Sequence, residues 1–154
     1  MSTTEEEEKT RVLFVCVHNS ARSQMAEAFL NQLAGGSFEA ESAGFEPEPL
    51  NSLAIEVMKE VGIDISAKQA KSVFGLYKAG RLYDYVITVC EKSQAERCPL
   101  FPGRVIRLDW PFQNPAALTG SHEERLAKTR TIRDQIKKRI EEFVEELLRK
   151  RARQ

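Results

Sequence analysis

A cysteine and an arginine six positions apart, Cys16 and Arg22, are the residues of this sequence best suited to chemistry. The loop between them, VHNSA, offers successive backbone N–H groups ahead of a predicted helix, and such a loop binds anions with the helix dipole behind it. The planar guanidinium of Arg22 suits two oxygens of a tetrahedral oxyanion. In the same field the Cys16 thiol is favoured as its nucleophilic thiolate. The stretch therefore predicts a sulfur nucleophile that attacks a bound oxyanion.

The residues inside this motif add to the signal, because a bare Cys-x5-Arg spacing arises often by chance. Asn19 belongs to the few non-glycine types that tolerate left-handed backbone, which an anion-binding loop requires. His18 is expected to face solvent rather than act as a base, since an activated thiolate needs none. The predicted substrate-binding residues are Val17, His18, Asn19, Ser20, Ala21 and Arg22.

Two further cysteines, Cys90 and Cys98, make three in the chain. An odd number in a chain without a secretory signal argues against a framework of structural disulfides. The two histidines form no recognisable zinc spacing with these cysteines, so no metal site is predicted. Each cysteine is then either a catalytic or redox thiol or a small buried hydrophobic residue.

The composition is that of an ordinary globular protein of 154 residues. Lysines plus arginines and aspartates plus glutamates both number 23, a balance that supports neither a nucleic-acid nor a membrane partner. The acidic start MSTTEEEEKT lacks the pattern of a signal peptide, so a cytoplasmic protein is expected. Residues 1–10 are predicted to be a disordered acidic tail and residues 11–154 a single catalytic domain. Nothing in the sequence demands more than a monomer.

The elements that must position these residues alternate between strand and helix. Hydrophobic patterning predicts parallel βαβ units, which form a three-layer α/β fold with a four-stranded sheet between helices. Ser121 and Glu124 form a possible capping box for a long C-terminal helix with one apolar face. The predicted strands are 11–16, 37–44, 82–90 and 103–110, and the predicted helices are 23–36, 50–64, 71–80 and the C-terminal one, whose apolar face is Leu126, Ile132, Ile136, Ile140, Phe143, Val144, Leu147 and Leu148.

Taken together, several stretches resemble the low-molecular-weight protein tyrosine phosphatase fold family, and most closely its thioredoxin-linked arsenate reductase branch. The resemblance extends from Val12 to about Ile140. It implies a parallel sheet in the order 2-1-3-4, in which strands 1 and 3 are neighbours. The matching stretches are VCVHNSARSQMAEAF, ESAGFEP, MKEVGIDIS, YVITVCEKSQAERCPLFPG and DWPFQNPAALTG.

The resemblance also implies roles for individual residues. Cys16 matches the nucleophile, Arg22 the oxyanion-binding arginine and Ser23 the hydroxyl that helps to hold the thiolate. Cys90 and Cys98 match two redox cysteines that the phosphatases lack. The implied reaction reduces arsenate to arsenite through a Cys16–Cys90–Cys98 disulfide relay and requires no cofactor. Thioredoxin or another dithiol is the implied reductant, and phosphate or sulfate are competing oxyanions.

The order of the relay has independent support from the predicted sheet. Neighbouring parallel strands lie about 4.8 Å apart, and Cys16 and Cys90 both end a predicted strand. Because a disulfide requires Cα atoms within roughly 7 Å, a modest loop movement would join them. Cys98 follows the polar segment EKSQAERC, which is expected to be mobile and to place this thiol near the surface.

The loop after strand 4 departs from the family pattern. The family has an Asp-Pro pair whose aspartate is the general acid, and here Asn114-Pro115 takes its place. An amide cannot donate this proton, so Asp109 is a possible substitute acid or a strand-end surface residue. Two alternatives to arsenate reduction therefore stay open: a phosphatase-like hydrolase, and an oxyanion-binding protein without turnover.

A second departure concerns the monovalent-cation site of some reductases in this family. Asn19, Glu27 and Ser42 match three of its ligands, whereas Lys71 aligns with the aspartate that supplies the fourth. A lysine ammonium there would replace the cation. We therefore expect Lys71 to pair with Glu27 and no potassium to bind.

Overall fold

The structure is a computed structural model and describes residues 8–153. Most of the predicted acidic tail, residues 1–7, lies outside the described residues. Thr10, the last residue of that predicted tail, already belongs to the first strand, where it is in register with Phe38.

The described residues form four strands and four α-helices. Strands and helices alternate as predicted, except that the second and third helices follow one another and a 3₁₀ helix rather than an α-helix joins the last two strands. Two short 3₁₀ helices, Lys92–Arg97 and Pro115–Ala117, lie in the connections that follow the third and fourth strands. The strands are β1 (Thr10–Cys16), β2 (Phe38–Gly44), β3 (Tyr85–Thr88) and β4 (Ile106–Asp109), and the helices are α1 (Arg22–Ala34), α2 (Ser52–Glu60), α3 (Val73–Lys78) and α4 (His122–Ala152).

All strand pairs are parallel, and the order β2-β1-β3-β4 confirms the predicted topology. Cys16 is in register with Gly44 of β2, and Val15 with Thr88 of β3. The carboxyl ends of the three strands therefore meet at one edge of the sheet, which is where ligands bind in open α/β sheets. Strand β3 is shorter than the predicted 82–90, so Cys90 lies two residues beyond its end.

Helices cover both faces of the sheet. Side chains of a strand alternate between faces, and Phe14 and Ser42 lie on the face that packs against α1 and α4. Phe14 contacts Trp110 at a centroid distance of 6.0 Å, and Trp110 contacts Phe143 of α4 at 5.4 Å. On the opposite face, the Glu41 carboxylate accepts a hydrogen bond from the Tyr83 hydroxyl beside α3.

Helix α4 begins with the predicted capping box. The Glu124 amide donates to Ser121 Oγ at 3.1 Å, and the Ser121 amide donates to Glu124 Oε1 at 2.8 Å. Most of its predicted apolar face is buried, but Val144 is only half-buried and Leu148 is 40% exposed, so the prediction for Leu148 was wrong. Within residues 8–153, no helix has the length and apolar character needed to cross a membrane.

Candidate active site

The predicted anion-binding loop connects β1 to α1 at this edge of the sheet. Cys16 is the last residue of β1, and α1 begins at Arg22. Asn19 has a φ angle of 53°, so it adopts the left-handed conformation that its residue type suggests. This conformation turns the Asn19 amide toward the start of the loop, where it donates to Cys16 Sγ at 3.1 Å.

The carbonyl groups of this loop are all bound by the protein itself. Segment 45–51 supplies amides to four of them, with distances from 2.7 Å for Glu46 to Val17 to 3.2 Å for Phe45 to Cys16. The Gln24 side chain binds the carbonyl of Asn19, and the Met25 amide binds that of Ala21. Because the carbonyls point outward into the protein, the loop can turn its amides toward an anion.

Gly44 of β2 allows this loop to lie close to the sheet. A Cβ atom at Gly44 would lie 2.7 Å from the carbonyl oxygen of Val17 and 2.8 Å from the amide nitrogen of Asn19. These neighbours are backbone atoms, so a side chain at this position would displace the loop. The sequence analysis did not identify Gly44 as a site residue, although a glycine ending a strand is a signal of close backbone approach.

Ser23 and Asn19 form a hydrogen-bond network around the sulfur of Cys16. Asn19 Nδ2 donates to Ser23 Oγ at 2.7 Å, which leaves the serine hydrogen for Cys16 Sγ at 2.9 Å. The Asn19 amide is the second donor to that sulfur. Two buried donors aimed at one sulfur stabilise negative charge on it, which a sulfur nucleophile requires.

Gln24 and a segment before α3 hold Asn19 in this position. The Gln24 side chain donates to Asn19 Oδ1 at 3.1 Å, and the Lys71 amide donates to the same atom at 2.9 Å. Gln24 is buried, so its contacts fix the loop from behind. Sequence reasoning missed Gln24, because a polar residue in the first turn of a helix is also typical of a solvent-facing position.

Lys68, rather than Lys71, pairs with Glu27. The Lys68 ammonium contacts the buried Glu27 carboxylate, which also accepts a hydrogen bond from Ser42 Oγ at 2.6 Å. The expectation for Lys71 was therefore wrong. The chain turns toward the loop at Lys71, which contributes its backbone amide. Lys68 thus takes the place beside Glu27 that the sequence analysis assigned to Lys71.

Arg22 is almost completely buried, with 3% of its surface exposed. Its NH1 donates to the carbonyl oxygen of Phe112 at 3.1 Å and to Glu91 Oε1 at 3.3 Å. The predicted oxyanion-binding arginine, which directly follows the Cys16 loop, is thus held by Glu91 and by the connection that follows β4. Sequence reasoning did not single out Glu91, the residue that follows Cys90.

All three cysteines are free and buried. Burial, and then the charge of Cys16, raise the pKa of Cys90 to about 11. Burial likewise raises the pKa of Cys98 to about 11. The expectation of a surface thiol at position 98 was wrong, because Cys98 is only 5% exposed and packs in the hydrophobic core.

The remaining predicted residues lie at the margin of the site. His18 Nδ1 is 3.0 Å from the carbonyl oxygen of Glu46, and the side chain is partly exposed. Asp109 accepts a hydrogen bond from Thr88 Oγ1. Asn114 Oδ1 accepts from the Ala116 amide at 3.0 Å and caps a 3₁₀ helix. Within the described residues, no hydrogen bond connects Asp109 or Asn114 to Cys16.

Comparison with known proteins gives consistent results. The family model of low molecular weight phosphotyrosine protein phosphatases matches residues 11–153. The arsenate reductase of Bacillus subtilis (strain 168) is 40% identical over 136 residues, or 87% of this chain and 94% of that protein. An arsenate reductase structure in the oxidized state superposes with a TM-score of 0.74 at 33% identity, covering 89% of this chain and 98% of that chain. A thioredoxin-dependent arsenate reductase of Corynebacterium glutamicum superposes with a TM-score of 0.61 at 32% identity, covering 88% of this chain and 63% of that chain.

Proposed function

Since the chain belongs to the low molecular weight phosphotyrosine protein phosphatase family, we propose that it uses this family's fold to reduce arsenate to arsenite. One observation carries the proposal: a second buried thiol, Cys90, lies beside Cys16. Each cysteine directly follows one of two residues joined across the sheet, since the Val89 amide donates to the Val15 carbonyl at 2.8 Å. Hydrolysis of a phosphate ester needs no second thiol. A two-electron reduction needs one, because each thiol supplies one sulfur of the disulfide formed.

The first step joins sulfur to arsenic. Arsenate binds to the loop amides and to Arg22, and the Cys16 thiolate attacks arsenic. An arsenic–oxygen bond breaks, and the oxygen leaves as water after protonation. Ser23 and the Asn19 amide hold the sulfur in position, through the contacts of 2.9 and 3.1 Å. The product is a covalent thiol–arsenate adduct on Cys16.

The next steps transfer two electrons to arsenic and then move the disulfide. The Cys90 thiolate attacks the Cys16 sulfur, the sulfur–arsenic bond breaks, and its electron pair stays on arsenic, which leaves as arsenite. Cys98 then attacks the Cys90 sulfur of the Cys16–Cys90 disulfide and releases the Cys16 thiolate. An external dithiol reduces the resulting Cys90–Cys98 disulfide and completes the cycle.

The partners of the site follow from this chemistry. Arsenate is the substrate, and phosphate or sulfate compete for the same loop because they are tetrahedral oxyanions. The reductant is thioredoxin, as in the C. glutamicum relative, or another dithiol. We propose that residues 11–154 act as one catalytic domain, as a monomer in the cytoplasm, with no cofactor and no nucleic-acid or membrane partner.

A phosphatase-like hydrolase is the weaker alternative. Ester hydrolysis depends on a general acid that protonates the leaving group, an effect of about 10²–10⁴-fold. Asn114 stands at the family's acid position and caps a backbone turn. Asp109, the possible substitute acid, is a strand-end residue that accepts a hydrogen bond from Thr88.

The test measures both reactions on the same protein. Arsenate is supplied with thioredoxin, thioredoxin reductase and NADPH, and NADPH consumption is compared with arsenite formed and with hydrolysis of phenyl phosphate. We expect one NADPH consumed for each arsenite and little phenol. Phenol release without NADPH consumption would identify a hydrolase, and oxyanion binding without either product a binding protein.

A further inference from the structure

The segment between the two relay cysteines is attached at its first residue to the oxyanion-binding arginine. Glu91 directly follows Cys90, and its Oε1 lies 3.3 Å from Arg22 NH1. The Arg22 side chain is 3% exposed, whereas that of Glu91 is 50% exposed. The half-exposed carboxylate of Glu91 thus contacts the buried guanidinium of Arg22, which is predicted to bind the oxyanion.

We propose that Glu91 is a positioning residue that serves as the counter-ion of Arg22 while the loop holds no oxyanion, and that oxyanion binding releases it together with the start of the Cys90–Cys98 segment. The proposal rests on the proposed function, since it makes substrate binding the event that frees the second thiol. It assigns Glu91 no contact with the reacting atoms.

The geometry of the Arg22–Glu91 pair is that of a replaceable contact. A buried guanidinium without a counter-ion is costly, so an empty loop favours a nearby carboxylate. Charge-assisted N–H···O bonds are typically about 2.7–2.9 Å long and often bidentate, whereas this pair has a single contact of 3.3 Å. A tetrahedral dianion offers two oxygens to the same guanidinium and also repels the Glu91 carboxylate. The oxyanion is therefore the stronger ligand of Arg22.

The rest of the segment is held loosely enough to respond. Of the 3₁₀ helix Lys92–Arg97, only Ala95 is buried. The other end is fixed separately, because Arg97 NH2 lies 2.7 Å from Glu46 Oε2. Release of Glu91 therefore loosens the end at Cys90 and leaves the end at Cys98 attached, which makes Cys90 the first thiol to react.

Glu91 also affects Cys90 through its charge, in addition to its contact with Arg22. Burial is the main cause that raises the pKa of Cys90 to about 11; the charge of Cys16 comes next, Arg22 lowers the pKa, and the Glu91 carboxylate raises it by less than Cys16 does. Movement of Glu91 away from Cys90 removes one negative charge that disfavours its thiolate, while the bound oxyanion brings another, so substrate binding acts on Cys90 through release of the segment. Substrate binding and activation of the second thiol are linked by one side chain.

The first test measures the affinity for inorganic phosphate by isothermal titration calorimetry. Glu91→Gln removes the competing charge, so we expect phosphate to bind about fivefold more tightly, the size of a partly exposed ion pair. Glu96→Gln is the matched control, because it removes a glutamate from the same exposed segment that forms no ion pair within the described residues. Phosphate affinity of this control should stay within about twofold of the wild type.

The second test measures how fast iodoacetamide alkylates Cys90, followed by mass spectrometry. If phosphate displaces Glu91 and loosens the segment, saturating phosphate should accelerate Cys90 alkylation in the wild type by up to about fivefold, the value of the ion pair that is lost. In Glu91→Gln the rate should already be high and should not respond to phosphate. Weaker phosphate binding by Glu91→Gln would overturn the proposal, as would a wild-type rate that phosphate leaves unchanged. Neither readout requires turnover, so a failure to reduce arsenate would count against the proposed function alone.

Discussion

The Cys16 loop and the Cys90–Cys98 segment meet at the same edge of the sheet, but they are held by opposite kinds of contact. In the loop, the carbonyls of residues 16–21 are all bound by the protein, and Asn19 at its centre is completely buried. In the segment, most side chains are exposed, and an ion pair at each end, Arg22–Glu91 and Arg97–Glu46, attaches it to the site.

This difference corresponds to what each region must do. A loop that stabilises an oxyanion is effective only if its amides are already in place, since no energy is then needed to reorganise them during the reaction. A thiol that passes a disulfide from one sulfur to another has to travel, so its segment cannot be fixed by many buried contacts. The fold thus joins a rigid anion-binding loop, residues 16–21, to a segment that can be released, residues 90–98. We call the loop the cradle.

The strongest test of this division removes one relay thiol at a time. Cys98→Ser should still release one arsenite per protein molecule and then stop as a Cys16–Cys90 disulfide, because only transfer to position 98 is lost. Cys90→Ser should stop earlier, at the thiol–arsenate adduct or its hydrolysis. Single-turnover arsenite measurement and mass spectrometry of the trapped bond distinguish the two states.

One result would reverse the assigned order of the thiols. It is a Cys16–Cys98 disulfide in Cys90→Ser together with normal single-turnover arsenite. Cys98 is buried, and its sulfur is 3.6 Å from the carbonyl oxygen of Pro99, so direct attack on Cys16 would require this thiol to leave its buried position first.

Gly44→Ala tests the rigidity of the loop. The new Cβ would lie 2.7 Å from the Val17 carbonyl oxygen, so the loop must shift. We expect arsenate reduction to fall on the order of 100-fold, as for other misplacements of catalytic groups, and unfolding free energy to fall by about 1–3 kcal/mol. Gly36→Ala is the control, because a Cβ there meets nothing within 4 Å. Wild-type kinetics in Gly44→Ala would contradict a rigid cradle.

The sequence predicted the parts of the fold that depend on local patterns. Strand β1 is a continuous apolar run, and Asn19 adopts the left-handed conformation that few residue types tolerate. The capping box at Ser121 placed the start of α4 correctly. The parallel order of the sheet came from the resemblance to the family, since periodicity alone does not fix which strands are neighbours.

The contacts that the sequence could not predict join residues far apart in the chain. Lys68 and Lys71 lie in the same polar loop, and only the path of that loop decides which ammonium reaches Glu27. Cys98 follows a polar segment, yet its own side chain is buried in the hydrophobic core. Glu91 lies just before a short 3₁₀ helix, where no periodicity reveals a partner such as Arg22.

The pH dependence of alkylation tests whether the relay thiols are protected as neutral groups. Burial raises the pKa of Cys90 and of Cys98 from 9.0 to about 11. Below that pKa the thiolate fraction grows about tenfold for each pH unit, so both rates should still be rising at about pH 10. Mass spectrometry of the protein alkylated with iodoacetamide measures each thiol separately. A plateau near pH 9 for either thiol would mean that it is already exposed in the resting protein.

The smallest expected effect comes from the end of the segment that stays attached. Arg97 pairs with Glu46 Oε2 at 2.7 Å, and its guanidinium lies 4.9 Å from the centroid of the Phe45 ring. The Glu46 amide also donates to the Val17 carbonyl at 2.7 Å. The Arg97–Glu46 pair therefore connects the Cys98 end of the segment to a residue that contacts the Cys16 loop. Arg97→Ala should therefore accelerate alkylation of Cys98 by about fivefold, the value of a partly exposed ion pair of about 1 kcal/mol.

The matched control for Arg97→Ala is Lys92→Ala, which removes a cation from the opposite end of the same 3₁₀ helix. Within the described residues Lys92 forms no ion pair, so its removal should leave the Cys98 rate within about twofold of the wild type. Phosphate affinity reports on the Cys16 loop alone, whereas Cys98 alkylation reports on the segment. The hydrogen bonds to the loop carbonyls and to Cys16 do not involve the Arg97 side chain, so Arg97→Ala should leave phosphate affinity unchanged. Faster Cys98 alkylation with unchanged phosphate affinity is the result expected for a releasable segment beside a rigid cradle. Faster Cys98 alkylation together with an equally large loss of phosphate affinity would show that the loop and the segment move as one unit.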